Sequence, residues 1–322
     1  MTNRDNRIIG FDIARAVSII WVVMYHSLDY SNLWYHHSAV KTLTYASLAI
    51  FTVLSGYLLA SRYDFEGKDC LKLFYRKRFV RFYPLFFISS LLLCLIGFNT
   101  WFNTVKGLVG ISPFWMPHPR TMWYCAMLIF LYFITPFWSK GGLWRQISKF
   151  AFTMVIIAGI HLVFQSVEPR TFFYFPFYFA GIIIAQYGYD RYMGILKSKS
   201  NVVVSIILFL IILGWQIVTN NSLLKWSNSI LGMYAFMSLY VFGGEQLKNK
   251  KFFISVISLL SYASLCIYLF HREVDEVLLK ICHPDNPYVM FCYVGILGLM
   301  ITIPQAYYIQ KGYDTIIHKM KI

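Results

Sequence analysis

The chain has 322 residues, of which 58% are apolar, 19% aromatic and only 13% charged, where a soluble domain carries about a quarter charged residues. That balance excludes a disordered chain, a collagen, a coiled coil and a small secreted scaffold, and it leaves an integral membrane protein that crosses the bilayer several times. A net charge of +15 would suggest nucleic-acid binding in a soluble protein; in an apolar chain the basic residues belong in short loops, where they set topology.

A spanning helix needs about 20 mostly apolar residues. Taken in order, the candidate spans are 8–29, 41–61, 82–98, 122–138, 149–165, 171–188, 201–218, 227–243, 253–270 and 289–309. The expected fold is therefore all-α, a polytopic bundle of about ten transmembrane helices forming a single membrane domain over 1–322, with no soluble domain. The first span follows Arg4 and Arg7, as a signal peptide would. Asp12 and Arg15 interrupt it and no small-residue cleavage site follows, so it reads as a retained helix. The longest connections are 62–81, 99–121 and 271–288. Pro176 and Pro304 are expected to kink their helices.

Ten spans put both termini on one side. That side collects the basic clusters within 62–81, 140–149, 191–199, 248–251 and 311–321, together with Arg4 and Arg7. The other side holds Lys41, Lys106, Arg120, Arg170, Lys225, Arg272 and Lys280. The excess, about three to one, places both termini in the cytoplasm and the protein in the cytoplasmic membrane. The six cysteines show no metal-ligand spacing, and most lie in apolar stretches. They read as small core residues, with no metal site and no disulfide framework.

Ionisable groups inside a span are costly, about 2.5–3.5 kcal/mol each at the helix centre on insertion scales. The first span holds three: Asp12, Arg15 and His26. At about 100° per residue all three fall on one helix face, with Arg15 and His26 roughly 16 Å apart along the axis. An Asp12–Arg15 ion pair and a satisfied bundle histidine would account for them. Three polar groups on one stripe through the bilayer favour a lined cavity instead. A neutral imidazole at His26 can take a proton from a hydroxyl as that hydroxyl attacks a carbonyl, which is worth about 10²–10⁴ in rate. Asp29 is placed to orient the ring.

A second cluster, Lys72-Leu-Phe-Tyr-Arg76-Lys77-Arg78-Phe-Val-Arg81-Phe-Tyr-Pro84, lies just before the third span. It could be a polybasic collar on anionic lipid. On charge alone the collar is favoured, while the fixed Arg78-x-x-Arg81 pair, with Arg76 beside it, suits a phosphate clamp. At the end of the ninth span, Ser261-Tyr-Ala-Ser-Leu-Cys-Ile-Tyr268-Leu-Phe-His271 places His271 on the expected outer side with His26, either as an interfacial histidine or as an acceptor-side residue. His36, His37, His118 and Arg120 lie in outer loops and nothing singles them out.

Phe11-Asp12-Ile-Ala-Arg15 through Met24-Tyr25-His26, with ten residues between Arg15 and His26, resembles the opening signature of the acyltransferase-3 family, integral membrane O-acyltransferases of bacterial envelopes. Phe51-Thr-Val-Leu-Ser55-Gly56-Tyr57-Leu58-Leu59, Arg78-Phe-Val-Arg81-Phe-Tyr83-Pro84, Phe175-Pro176-Phe177-Tyr-Phe-Ala-Gly181 and Tyr268-Leu-Phe-His271 also resemble it, in the family's order and over nearly the whole chain. The resemblance implies a ten-helix membrane domain and transfer of an acyl group, acetyl by preference, from cytoplasmic acyl-CoA to a hydroxyl of an envelope glycan or lipid-linked sugar. It also implies a catalytic role for His26 and acyl-CoA handling by Arg15, Arg78 and Arg81. Many members carry an acidic segment in the fourth span. Here that stretch reads Met122-Trp123-Tyr124-Cys125-Ala126-Met127, without an acid, so no carboxylate role carries over. No counterpart of the esterase-like domain fused to some members is expected.

Both lines give one expectation. Arg76, Arg78 and Arg81 hold the CoA phosphates, the pantetheine arm follows the Asp12/Arg15 stripe, and His26, with Arg15 and Asp12 as the other catalytic residues, activates the acceptor hydroxyl or, in the alternative, carries the acyl group as a covalent acyl-histidine. The partners expected are acyl-CoA as co-substrate, the glycan acceptor and membrane lipid, without nucleic acid. A proton-coupled transporter or lipid-linked sugar flippase is the alternative from another class, since intramembrane Asp, Arg and His suit it too; the chain shows no inverted repeat in its favour.

Overall fold

The computed structural model describes residues 7–63 and 65–320. Arg4 and Lys321, both used in the topology count, lie outside the described residues. Among these residues the chain is helical with no strand. The helices are α1 (Ile9–Ser31), α2 (Ser38–Arg62), α3 (Lys68–Leu95), α4 (Trp101–Val109), α5 (Trp123–Ser139), α6 (Leu143–Phe164), α7 (Pro169–Ile183), α8 (Tyr189–Leu196), α9 (Lys199–Thr219), α10 (Ser222–Leu247), α11 (Lys251–Ile281), α12 (Pro287–Met290) and α13 (Gly298–Lys319). A π-helical turn, Ile184–Gly188, follows α7, and a second, Phe291–Leu297, joins α12 to α13.

Each of the ten apolar stretches expected to span is helical. Among the described residues, seven helical segments are long and apolar enough to cross a membrane: α1, α2, α3, α6, α9, α11 and the run Pro287–Lys319. The other three expected spans fall short by length or polarity. α5 has 17 residues and α7 has 15, and α10 is long enough but carries Asn228, Ser229 and Ser238 along its buried side.

Three expected loops differ from the structure. The basic stretch placed in the 62–81 connection is helical from Lys68, because between Gly67, whose φ of 88° suits only glycine, and Pro84 no residue breaks a helix. The 99–121 connection contains α4, capped by the Thr100 side chain, which accepts from the Asn103 amide. Lys106, counted as an outer-loop cation, is buried there and donates to the carbonyls of Trp115 and Pro117. The ninth span does not stop at 270: α11 runs on to Ile281 and buries His271, Arg272 and Asp275. Pro176 and Pro304 both lie inside continuous helices. The cysteine expectation is corrected in part, since Cys94, Cys125 and Cys266 are buried but Cys70, Cys282 and Cys292 are exposed. Their thiols lie toward helix ends or on outward faces, where no core forms.

The described residues fall into two compact units. The first comprises residues up to 51 and 189–315. In it α1 packs against α10, α11 and the second π-helical turn. Ile13, Ala16 and Ile257 form an apolar centre there, ringed by Ile9, Tyr240, Leu247, Phe253 and Leu260. α1 and α10 meet backbone to backbone: a Cβ on Gly10 would stand 2.5 Å from the Val241 Cα, and one on Gly244 would stand 2.6 Å from the Gly10 nitrogen. Without a hydrophobic drive between helices in lipid, such close approach is how helices hold each other.

The second unit comprises residues 52–188 and 316 onward. Its core is aromatic. Phe150 stacks on Phe179 with ring centres 4.4 Å apart, and buried Trp138 meets Phe150, Phe175, Tyr178 and Phe179. Gly56 of α2 and Gly181 of α7 form the tight crossing here. A Cβ on Gly56 would collide with the Tyr178 carbonyl, and one on Gly181 with the Val53 carbonyl. Two of the sequence stretches that resembled a family thus meet at a helix crossing.

Candidate active site

α1 carries its polar stripe on the face turned to α11. The partners on α11 are serines at helical spacing, Ser258, Ser261 and Ser264. Asp12 accepts from Ser261 at 2.6 Å and pairs with Arg7. Arg7 also donates to Ser258 at 2.7 Å, and Arg15 donates to Ser264 at 2.9 Å. The lower half of the stripe is therefore stitched to α11 by hydrogen bonds. Asp12 and Arg15 remain half-buried, and the stripe along which a pantetheine arm was expected faces the serines of α11. The opposite face of α1 lines an apolar cavity of about 460 Å³ with Val40, Leu260 and Phe291.

Further along the same interface lies a polar centre. The rings of His26 and His271 stack, with centres 5.2 Å apart and planes inclined by 23°. His26 is half-buried and His271 wholly buried. Arg272, 3% exposed, donates through one amino group to His26 Nδ1 at 2.9 Å and to Asp29 Oδ2 at 3.2 Å. Its guanidinium also lies over the Tyr30 ring, 4.6 Å from the ring centre, and the Tyr30 hydroxyl donates to Glu276 at 2.7 Å. Asp29 was expected to orient His26 directly. It does so at one remove, through the arginine.

Two groups in this centre lack what buried polar groups ordinarily have, a hydrogen-bond partner. His271 donates from Nδ1 to the Tyr268 carbonyl at 2.8 Å, and its Nε2 has no partner. Asp275, one helical turn on and 0% exposed, has no partner on either carboxylate oxygen. Its Oδ1 rests against Gly298 of α13, 3.1 Å from where a Cβ would stand. Arg272 and Asp275 were not anticipated as site residues. Helical spacing was the signal for them: His271 and Asp275 are four apart, and Val274, Leu278 and Ile281 continue an apolar stripe.

In the second unit, Arg78 is half-buried, while Arg76 and Arg81 are exposed. Arg78 donates to the Tyr63 hydroxyl at 3.3 Å and lies over the Tyr63 ring, and its buried Nε has no partner. His118 sits between Glu168 and Arg170. Its Nδ1 lies 2.9 Å from Glu168, and its Nε2 accepts from Arg170 at 2.7 Å. Arg170 also covers the Trp123 ring at 3.8 Å. Burial raises the Glu168 pKa, but the hydrogen bonds from His118 and Arg170 outweigh it and hold the carboxyl at about 2. Among the described residues, no three His, Cys, Asp or Glu side chains gather as a metal site would require.

No curated protein and no solved structure matches the chain. A family model described as an acyltransferase domain, Acyl_transf_3, matches residues 8–307 and so runs across both units. The match takes in the stretch holding the His26, His271 and Arg272 centre, and the chain belongs to the acyltransferase-3 family as a multi-pass membrane acyltransferase.

Proposed function

We propose that the chain moves an acyl group, acetyl by preference, from acyl-CoA to a hydroxyl of an envelope glycan or lipid-linked sugar, at the cytoplasmic membrane. The observation that carries this reading is the paired imidazoles of His26 and His271 under one buried arginine. O-acyl transfer needs a base for the hydroxyl proton and a donor for the charge that develops on the thioester oxygen. Two histidines held face to face supply both kinds of nitrogen. Asp12 and Arg15 act as positioning residues: their bonds to Ser261 and Ser264 fix the register of α1 on α11, and with it the overlap of the two rings.

Arg76, Arg78 and Arg81 hold the CoA phosphates. Support comes from Arg78, whose unpartnered buried Nε leaves a charged donor for an anionic group. Arg78→Ala raises the KM for acyl-CoA about tenfold with kcat little changed, and Arg81→Ala, at an exposed position, raises it less; initial rates across acyl-CoA concentrations measure both.

The deciding experiment gives labelled acetyl-CoA to membranes carrying the wild type or His26→Ala. The wild type places an alkali-labile label in a glycan or lipid fraction, and the variant does not. A wild type that labels nothing ends the reading, and movement of unlabelled lipid-linked sugar across the bilayer would favour a flippase.

A further inference from the structure

The hydrogen bonds at the two rings fix which nitrogen of each carries the proton. Arginine only donates. Because Arg272 donates to His26 Nδ1, the lone pair of the neutral ring is on Nδ1 and its hydrogen is on Nε2. A carbonyl only accepts. Because Tyr268 accepts from His271 Nδ1, that ring carries its hydrogen on Nδ1 and its lone pair on Nε2, where nothing meets it. The two imidazoles are thus opposite tautomers. His26 has its basic nitrogen taken up by a guanidinium, while His271 has its basic nitrogen unengaged.

From this arrangement we propose a division of labour within the acyltransferase reading, on which it rests: His271 Nε2 is the base, and His26 Nε2–H is the donor that steadies the carbonyl oxygen. The acceptor O–H gives its proton to His271 Nε2 as its oxygen bonds to the thioester carbonyl carbon. The negative oxygen that forms is held by His26 Nε2–H. When that intermediate collapses, the C–S bond breaks, and the leaving thiolate takes the proton back from His271. Ester and free thiol are the products, and both histidines return to their starting tautomers. His26 is half-buried and His271 wholly buried, so the pair is approached from the His26 side.

Charged and titratable groups around His271 come from α1, from α11, whose Tyr268 ring lies 6.1 Å from it and whose Glu276 accepts from Tyr30, and from the second π-helical turn, whose Tyr293 donates to the Leu278 carbonyl. α1 brings His26, Asp29 and Tyr30, and α11 itself brings Arg272 and Asp275. The buried residues of α13 are Gly298, Thr302 and Ala306, none of which titrates.

Glutamine separates the two roles, since its amide N–H donates but takes no proton. Transfer from labelled acetyl-CoA is followed against pH in detergent-solubilised wild type, His26→Gln, His26→Ala, His271→Gln and His271→Ala. His26→Gln retains at least about tenfold more activity than His26→Ala, and keeps the acid limb of the kcat/KM profile. His271→Gln falls with His271→Ala, by about 10³-fold, and loses that limb. An acid limb that vanishes in His26→Gln and survives in His271→Gln overturns the assignment. If the His271 variants fail to accumulate, His26→Gln decides alone, because its acid limb persists only if the base lies elsewhere. Absence of transfer in the wild type would instead remove the acyltransferase reading.

Discussion

Two histidine sites in this molecule are built around an arginine, and their rings end in opposite conditions. His118, in the second unit, has Glu168 on one ring nitrogen and Arg170 on the other. Both ring nitrogens thus face a charged group, and Trp123 closes over the arginine. In the first unit, Arg272 takes one nitrogen of His26, and the stacked His271 keeps a lone pair with no partner. A fully engaged ring is a strut. A ring with an unspent lone pair in a dry interior costs stability and is retained where chemistry needs it.

The largest effect that tests this contrast is at the two arginines. Arg272→Met lowers kcat by about 10²-fold, because the His26 tautomer is no longer set and a donor is lost. Arg170→Met leaves turnover per folded molecule within about twofold. Comparable losses at both arginines would dissolve the contrast; rates normalised to folded protein by size-exclusion chromatography measure it.

A smaller effect, on stability alone, belongs to Glu168. Its folded pKa lies below the usual carboxylate value, at about 2, so its contribution is full above the ordinary pKa near 4.5 and is lost as pH falls through 2. The shift corresponds to about 3 kcal/mol. Glu168→Gln therefore lowers the melting temperature at pH 7, and the gap to the wild type narrows as pH is taken from 5 toward 3. A gap that is constant with pH would mean that Glu168 acts by packing, not by charge.

The helices were legible in the sequence because long apolar runs have one stable form in a bilayer, and the α1 stripe was legible because Asp12, Arg15 and His26 stand out against such a run. What failed to show is instructive. Residues 271–281 read as a loop on hydropathy, since His271, Arg272, Glu273, Asp275 and Glu276 crowd one segment. Hydropathy sums side chains singly, whereas Arg272 is satisfied by Asp29 and His26, more than 200 residues away in the chain. The serines of α11 escaped notice for the same reason: a serine in an apolar helix is unremarked until the group it bonds is known. Gly56 and Gly181 were visible as pattern, but that they form a backbone crossing appears only when α2 and α7 are brought together.

The charged end of α11 also bears on biogenesis. Its five charged groups, Arg272, Glu273, Asp275, Glu276 and Lys280, would each resist partition into lipid by a few kcal/mol at mid-bilayer depth. The helix that offers Asp29, His26 and Tyr30 to this segment is made more than 200 residues before it. Integration of the last third of α11 thus depends on a helix made long before it, and a nascent chain lacking α1 would leave that segment stranded at the water interface, a substrate for membrane proteases.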